Sequence, residues 1–215
     1  MRQVKIAAID VDAQRTFTPL CPDELPVPEG ETLGPALNEQ ATLADVRVLT
    51  KDAHPANAIW VVDDPADMFQ PLPHKNADLT WVQHAVPGTK GFETIDALPT
   101  VTDYHYVVWK GIEPDLHPYG ACFHDIEEKL STGLIEWLHS QDVETVIVGG
   151  LATDYCVKTT AIQLKKRGRF DVIVNLAACR GINAKTVSSA CDEMLAVGIK
   201  LVDSQLALSC LLPPR

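Results

Sequence analysis

No stretch of the 215-residue sequence approaches the ~18 consecutive apolar residues of a membrane span. The opening residues Met1-Arg2-Gln3-Val4-Lys5-Ile6 reach Asp10 after only a few apolar positions, too few for a secretory leader, so a cytoplasmic location is expected. Basic residues are scarce: 18 Lys and Arg against 29 Asp and Glu give a net charge of −11. A surface of that sign repels phosphate backbones and anionic lipid, which argues against nucleic acid and membrane and leaves a small molecule or another protein as partner. The six cysteines (Cys21, Cys122, Cys156, Cys179, Cys191 and Cys210) have no CxxC spacing. They are expected as thiols in a reducing compartment, not as a disulfide scaffold. Internal repeats, low-complexity tracts and linkers are also missing. With 46% hydrophobic and 22% charged residues, residues 1–215 are expected to form one globular domain.

Proline is absent between Pro118 and Pro213 but abundant before, with five between Pro19 and Pro35 and six between Pro55 and Pro99. Because proline removes a backbone donor and breaks helices, the first half should be loop-rich and the second half regular. Apolar runs predict six short strands at residues 4–11, 46–50, 104–109, 143–148, 170–176 and 199–202. Helical patterns occupy residues 131–138, 154–166 and 184–197. This alternation predicts an α/β fold of three layers, α/β/α, with a mostly parallel six-stranded sheet.

Ligands of such sheets bind at the carboxyl ends of the strands. Those ends are rich in chemistry here. Asp12 follows the first strand, Asp52 and His54 the second, Lys110 the third, and Gly149-Gly150-Leu151-Ala152-Thr153-Asp154-Tyr155-Cys156 the fourth. Cys156 opens a helix, where unpaired N–H groups and the helix dipole favour a thiolate, although a free cysteine is more ordinarily a small buried hydrophobe. Lys110 ends an apolar strand, either as a snorkelling residue or as a cation at the rim. Asp12 lies two residues beyond Asp10. A carboxylate base, a cation and a helix-start thiol are the parts of acyl transfer through a thioester.

A second constellation suits a metal. Asp52 and His54 are two residues apart at a strand end, and His84 is a candidate third ligand. Two imidazoles and one carboxylate leave open positions on Zn²⁺, Fe²⁺ or Mn²⁺. The remaining histidines, His74, His105, His117, His124 and His139, have no partner spacing.

These motifs together resemble the nicotinamidases (pyrazinamidases) of the isochorismatase-like cysteine hydrolase superfamily. The similarity is carried by Gly150-Leu151-Ala152-Thr153-Asp154-Tyr155-Cys156-Val157-Lys158, Asp12-Ala13-Gln14-Arg15-Thr16-Phe17, Thr50-Lys51-Asp52-Ala53-His54-Pro55, Trp81-Val82-Gln83-His84 and Lys110-Gly111. It implies the isochorismatase-like hydrolase fold and hydrolysis of nicotinamide to nicotinate and ammonia in NAD salvage, with pyrazinamide as a further substrate. It assigns Asp12, Lys110 and Cys156 as the catalytic triad. The backbone N–H groups of Ala152 and Cys156 become the oxyanion hole, after a cis peptide between Leu151 and Ala152. Phe17, Trp81 and Tyr119 become the walls for the pyridine ring. Asp52, His54 and His84 become ligands of one divalent metal ion, zinc before iron or manganese. It also implies a homo-oligomer.

The chain departs from the family at Thr16, where an Asp is usual, and at Ala58, the position matching a further histidine that many nicotinamidases have. The second departure leaves the coordination number open. The competing expectations are a metal-independent carbamoyl or ureido amidohydrolase of the same superfamily and a catalytically silent binding or redox module.

Overall fold

A computed structural model describes residues 4–212. Residues 1–3 of the opening segment and Pro213 lie outside the described part. The chain runs β1 (Lys5–Val11), α1 (Gly34–Ala41), β2 (Val46–Asp52), β3 (Val61–Val62), β4 (Pro71–His74), β5 (Ala77–Leu79), β6 (Trp81–Val82) and β7 (Tyr106–Lys110). It continues α2 (Leu134–Ser140), β8 (Val143–Leu151), α3 (Lys158–Lys166), β9 (Asp171–Arg180), α4 (Ala184–Ala196), β10 (Lys200–Val202) and α5 (Gln205–Leu211). Six strands form one sheet in the order β10-β9-β8-β1-β2-β7. Every pairing within it is parallel.

Strand periodicity explains the layers. In β8 and β9, Val146, Val148, Val172 and Val174 pack against Leu134 and Leu138 of α2, Ala161 and Leu164 of α3, and Met194 of α4. The intervening Ile147 and Ile173 turn to the opposite face, where they meet Ile6 and Leu208 of α5. Such central strands are apolar on both sides because helices cover both sides. Each fully buried aliphatic side chain contributes roughly 1.5–3 kcal/mol, so this double burial is the main source of cohesion.

The expected six-stranded α/β/α fold is thus the observed one, with shifted boundaries. β8 runs through Gly149 and Gly150, which read as a turn in the sequence. A Cβ on Gly150 would lie 2.0 Å from the Val11 carbonyl oxygen, so glycine there permits close approach of β1. Because the strands are parallel, the ends of β1, β2, β7 and β8 share one rim, with Asp52 opposite Lys110 and Val11 opposite Gly150.

Candidate active site

The rim is organised around one buried cation. Lys110 closes β7 with no solvent exposure. Its Nζ lies 3.1 Å from Asp12 Oδ2 and donates to Asp52 Oδ1, to the Pro118 carbonyl at 3.2 Å and to Cys156 Sγ at 3.7 Å. The carboxylates of Asp12 and Asp52 and the thiol of Cys156 come within 4.8 Å of one another. Three residues remote in sequence therefore surround one ammonium.

Burial by itself would strip the proton from Lys110, but Asp12, Asp52 and Cys156 outweigh it and hold the amine well above its ordinary value. Burial would likewise raise Asp52, yet the Lys110 ammonium keeps it below the usual carboxylate range. For Asp12 burial dominates over the attraction of Lys110, and the charge of Asp52 adds to the upward shift. Burial also pushes the Cys156 thiol well up, against the pull of Lys110. Burial thus biases both groups toward holding a proton, and the Lys110 ammonium between them opposes that bias. Helix placement alone favours a thiolate at Cys156, and burial works against it. Cys156 sits in a wide π-type turn (Thr153–Val157) ahead of α3, 6% exposed.

Local hydrogen bonds fix these side chains. Asp12 lies one residue past β1 at φ +43°, and the Thr50 hydroxyl donates to its Oδ1 at 2.6 Å. Gln14 brackets Asp52, donating to its carbonyl at 2.9 Å and accepting from its N–H at 2.8 Å. Asp10 does not join the site. Its carboxylate accepts from Arg47 Nε at 2.9 Å and the Tyr104 hydroxyl at 2.8 Å. At the departure Thr16, the missing carboxylate is supplied from elsewhere. Glu24 accepts from the Thr16 hydroxyl and from the Ala85 N–H, the latter at 3.0 Å, and so secures the turn after His84.

Beside the cluster, His54 Nδ1 donates to the Gly111 carbonyl at 3.0 Å and His84 Nδ1 to the Val82 carbonyl at 2.7 Å. A carbonyl can only accept, so both Nδ1 atoms carry a proton and Nε2 is the atom each ring keeps for another partner. His54 Nε2 is buried without a hydrogen bond, 3.4 Å from Asp52 Oδ1. Gly111, at φ +74°, makes room for this ring, since a Cβ would lie 2.3 Å from it. Burial lowers His84 to about 3, which keeps its imidazole neutral. Imidazole nitrogens gathered beside the Asp52 carboxylate suit a divalent metal.

One residue of this neighbourhood was missed in the sequence. His117 brings a ring nitrogen within 4.8 Å of those of His54 and His84. Its only local signal is its position in the loop that follows Lys110, two residues before Tyr119.

The space above Cys156 is lined by Phe17, Trp81, Tyr119, Tyr155, His117 and Ala152, among others. Tyr119 is anchored through its hydroxyl, which donates to Asp78 at 2.8 Å. Trp81 stacks on His117 with centroids 5.6 Å apart, and Phe17 lies 5.8 Å from His84. The Leu151–Ala152 peptide is cis. The structure thus brings all ten residues singled out in the sequence to one rim: triad, expected ligands, ring walls and Ala152.

Comparison with known proteins agrees with this geometry. The isochorismatase domain family matches residues 7–205. The nicotinamidase of Acinetobacter baylyi is 33% identical over 205 residues, covering 93% of this chain and 92% of its own. Among solved structures, the nicotinamidase/pyrazinamidase of Acinetobacter baumanii superposes with a TM-score of 0.85 at 28% identity, covering 97% of this chain and all (100%) of its own. The pyrazinamidase of Pyrococcus horikoshii in complex with zinc gives 0.73 at 32% identity, covering 93% and 99%. Sequence match, sheet order and rim geometry converge, and the chain belongs to the isochorismatase domain family.

Proposed function

We infer that the chain hydrolyses nicotinamide to nicotinate and ammonia, and pyrazinamide by the same route, with Cys156 as nucleophile. The observation that carries the mechanism is Lys110 Nζ standing 3.1 Å from Asp12 and 3.7 Å from Cys156. Cys156 Sγ attacks the carboxamide carbon while Asp12 takes the thiol proton, a transfer favoured by the raised affinity of that carboxyl. Lys110 remains an ammonium and stabilises the sulfur as it becomes anionic. The tetrahedral oxyanion is met by the backbone N–H groups of Ala152 and Cys156, donors whose removal typically costs about 3 kcal/mol of barrier. Asp12 then gives its proton to the departing nitrogen, and ammonia leaves behind a thioester. Water enters, loses a proton to Asp12, and attacks the acyl carbon. Sulfur departs and recovers the proton, and nicotinate is released.

Phe17, Trp81 and Tyr119 hold the ring. Asp52, His54 and His84 would hold one divalent metal ion, zinc before iron or manganese, which supplies a Lewis-acid anchor for the ring nitrogen when bound. The zinc complex of the Pyrococcus relative supports that choice of ion. Six free thiols, none paired, support a reducing, cytoplasmic setting. No helix of the described residues is long and apolar enough to cross a membrane. The family resemblance adds a homo-oligomer, which light scattering measures directly.

The deciding assay is ammonia release from nicotinamide. Wild-type protein should release it, Cys156→Ala should not, and chelation should suppress it. Release that is indifferent to chelation would favour the metal-free amidases, and no release from any amide would favour a silent module.

A further inference from the structure

We propose that His117 is a protein ligand of the metal site, so that the ion is held by three imidazoles and the Asp52 carboxylate. This extends the metal-dependent reading above and rests on it. His117 is 4% exposed, and both of its ring nitrogens are buried without a hydrogen-bond partner. Leaving one buried polar atom unsatisfied costs roughly 1–3 kcal/mol, so a neutral imidazole with two needs a partner. The group within reach is the ion position, because its ring nitrogen already lies within 4.8 Å of those of His54 and His84.

The ring is held there by its surroundings. The backbone N–H of His117 donates to the Asn76 carbonyl at 2.7 Å, and the Trp60 indole donates to the Leu116 carbonyl at 3.0 Å. Trp60, fully buried, stands 4.4 Å from the His117 ring, 4.8 Å from His54 and 5.3 Å from His84 by centroids. It forms one wall behind all three imidazoles. Ala58, two residues earlier, offers no donor atom, and in this chain the third imidazole comes from the loop after β7. That loop also bears the Pro118 carbonyl bound to Lys110 and the Tyr119 ring of the pocket, so one segment serves ion, triad and substrate. A three-imidazole site favours zinc, iron or cobalt over magnesium or manganese.

The test is cobalt(II) titration of metal-stripped protein against a chromophoric chelator, comparing wild type with His117→Ala and His117→Gln. Loss of a ligand should weaken cobalt binding by at least ~10-fold and change the intensity of the visible cobalt absorption. Equal affinity and an unchanged spectrum in a folded variant overturn the proposal. Should the variants fail to fold, the paramagnetically shifted NMR spectrum of wild-type cobalt protein decides. Three exchangeable imidazole N–H resonances support His117 as a ligand, and two exclude it while leaving the Asp52, His54, His84 site intact. Wild-type protein that releases ammonia from nicotinamide yet binds no cobalt and no zinc overturns the metal-dependent reading itself, and His117 with it.

Discussion

At the scale of single residues, the orientation of Asp12 depends on Thr50. The Thr50 hydroxyl donates to its Oδ1 at 2.6 Å and keeps the carboxylate facing Lys110 and Cys156. A hydrogen bond to a charged group is worth about 1.5–3 kcal/mol. Thr50→Val, close in shape, should therefore lower kcat by roughly 10–100-fold with little change in KM, measured by steady-state ammonia release. An equal rise in KM would mean that Thr50 serves substrate binding instead. The sequence pointed to Asp12, Lys110 and Cys156 because each follows an apolar strand, a position where side-chain chemistry has few structural excuses. It assigned no role to Thr50, Gln14 or His117. Thr50 is an ordinary strand residue, Gln14 acts through backbone atoms of Asp52, and His117 lies on a loop whose course no periodicity announces. The burial that pushes the Cys156 thiol up was equally hidden, since the folded surroundings set it.

At the scale of elements, the turn that carries Cys156 is braced by the helix that follows β9. Asp154, buried within Thr153–Val157, accepts from the N–H groups of Ile182 and Asn183 at 3.1 and 3.3 Å and from the Thr186 hydroxyl at 2.6 Å. Asn183 adds the N-cap of α4, accepting from the Lys185 N–H at 2.8 Å. Asp154→Ala would orphan these donors, and a destabilisation of roughly 2–4 kcal/mol is expected in urea unfolding. A change under 0.5 kcal/mol, within the usual range of surface substitutions, would show that α4 does not brace the turn. Helix α4 was legible almost to the residue because its apolar spacing and cap agree. The helix expected from residue 154 begins as a π turn and becomes regular only at Lys158, since the wide turn brings Cys156 to the rim. The hairpin of β4 and β5 was not legible. Its Pro71 and Pro73 read as loop, and such a strand is tolerated only outside a central sheet position.

At the scale of the whole molecule, a bound ion would join segments that the covalent chain leaves far apart: the end of β2, the turn after β6 and the loop after β7. Binding to the folded state alone stabilises it by about 4 kcal/mol at a thousandfold excess over Kd. For a chain of this size, chelation should then lower Tm by ~10 °C in a calorimetric scan, and resupplied zinc should restore it. A Tm indifferent to chelator would mean that the ion does not bridge these segments. The overall architecture was legible because strand and helix periodicities alternate cleanly after residue 130. The proline-rich half was legible only through its motifs, because its course is set by side chain to backbone bonds such as those of Gln14 and Glu24.

The strand order also sets a sequence of events during synthesis. β1, β2 and β7 are neighbours in the sheet and leave the ribosome first, carrying the acid, the ammonium and two of the imidazoles. The sulfur follows 46 residues after Lys110, on the far side of β1. A nascent polypeptide halted before β8 holds Asp12, Lys110 and the imidazoles but lacks both Ala152 and Cys156. Under the proposed mechanism, amide cleavage therefore waits until the second half docks beside the first.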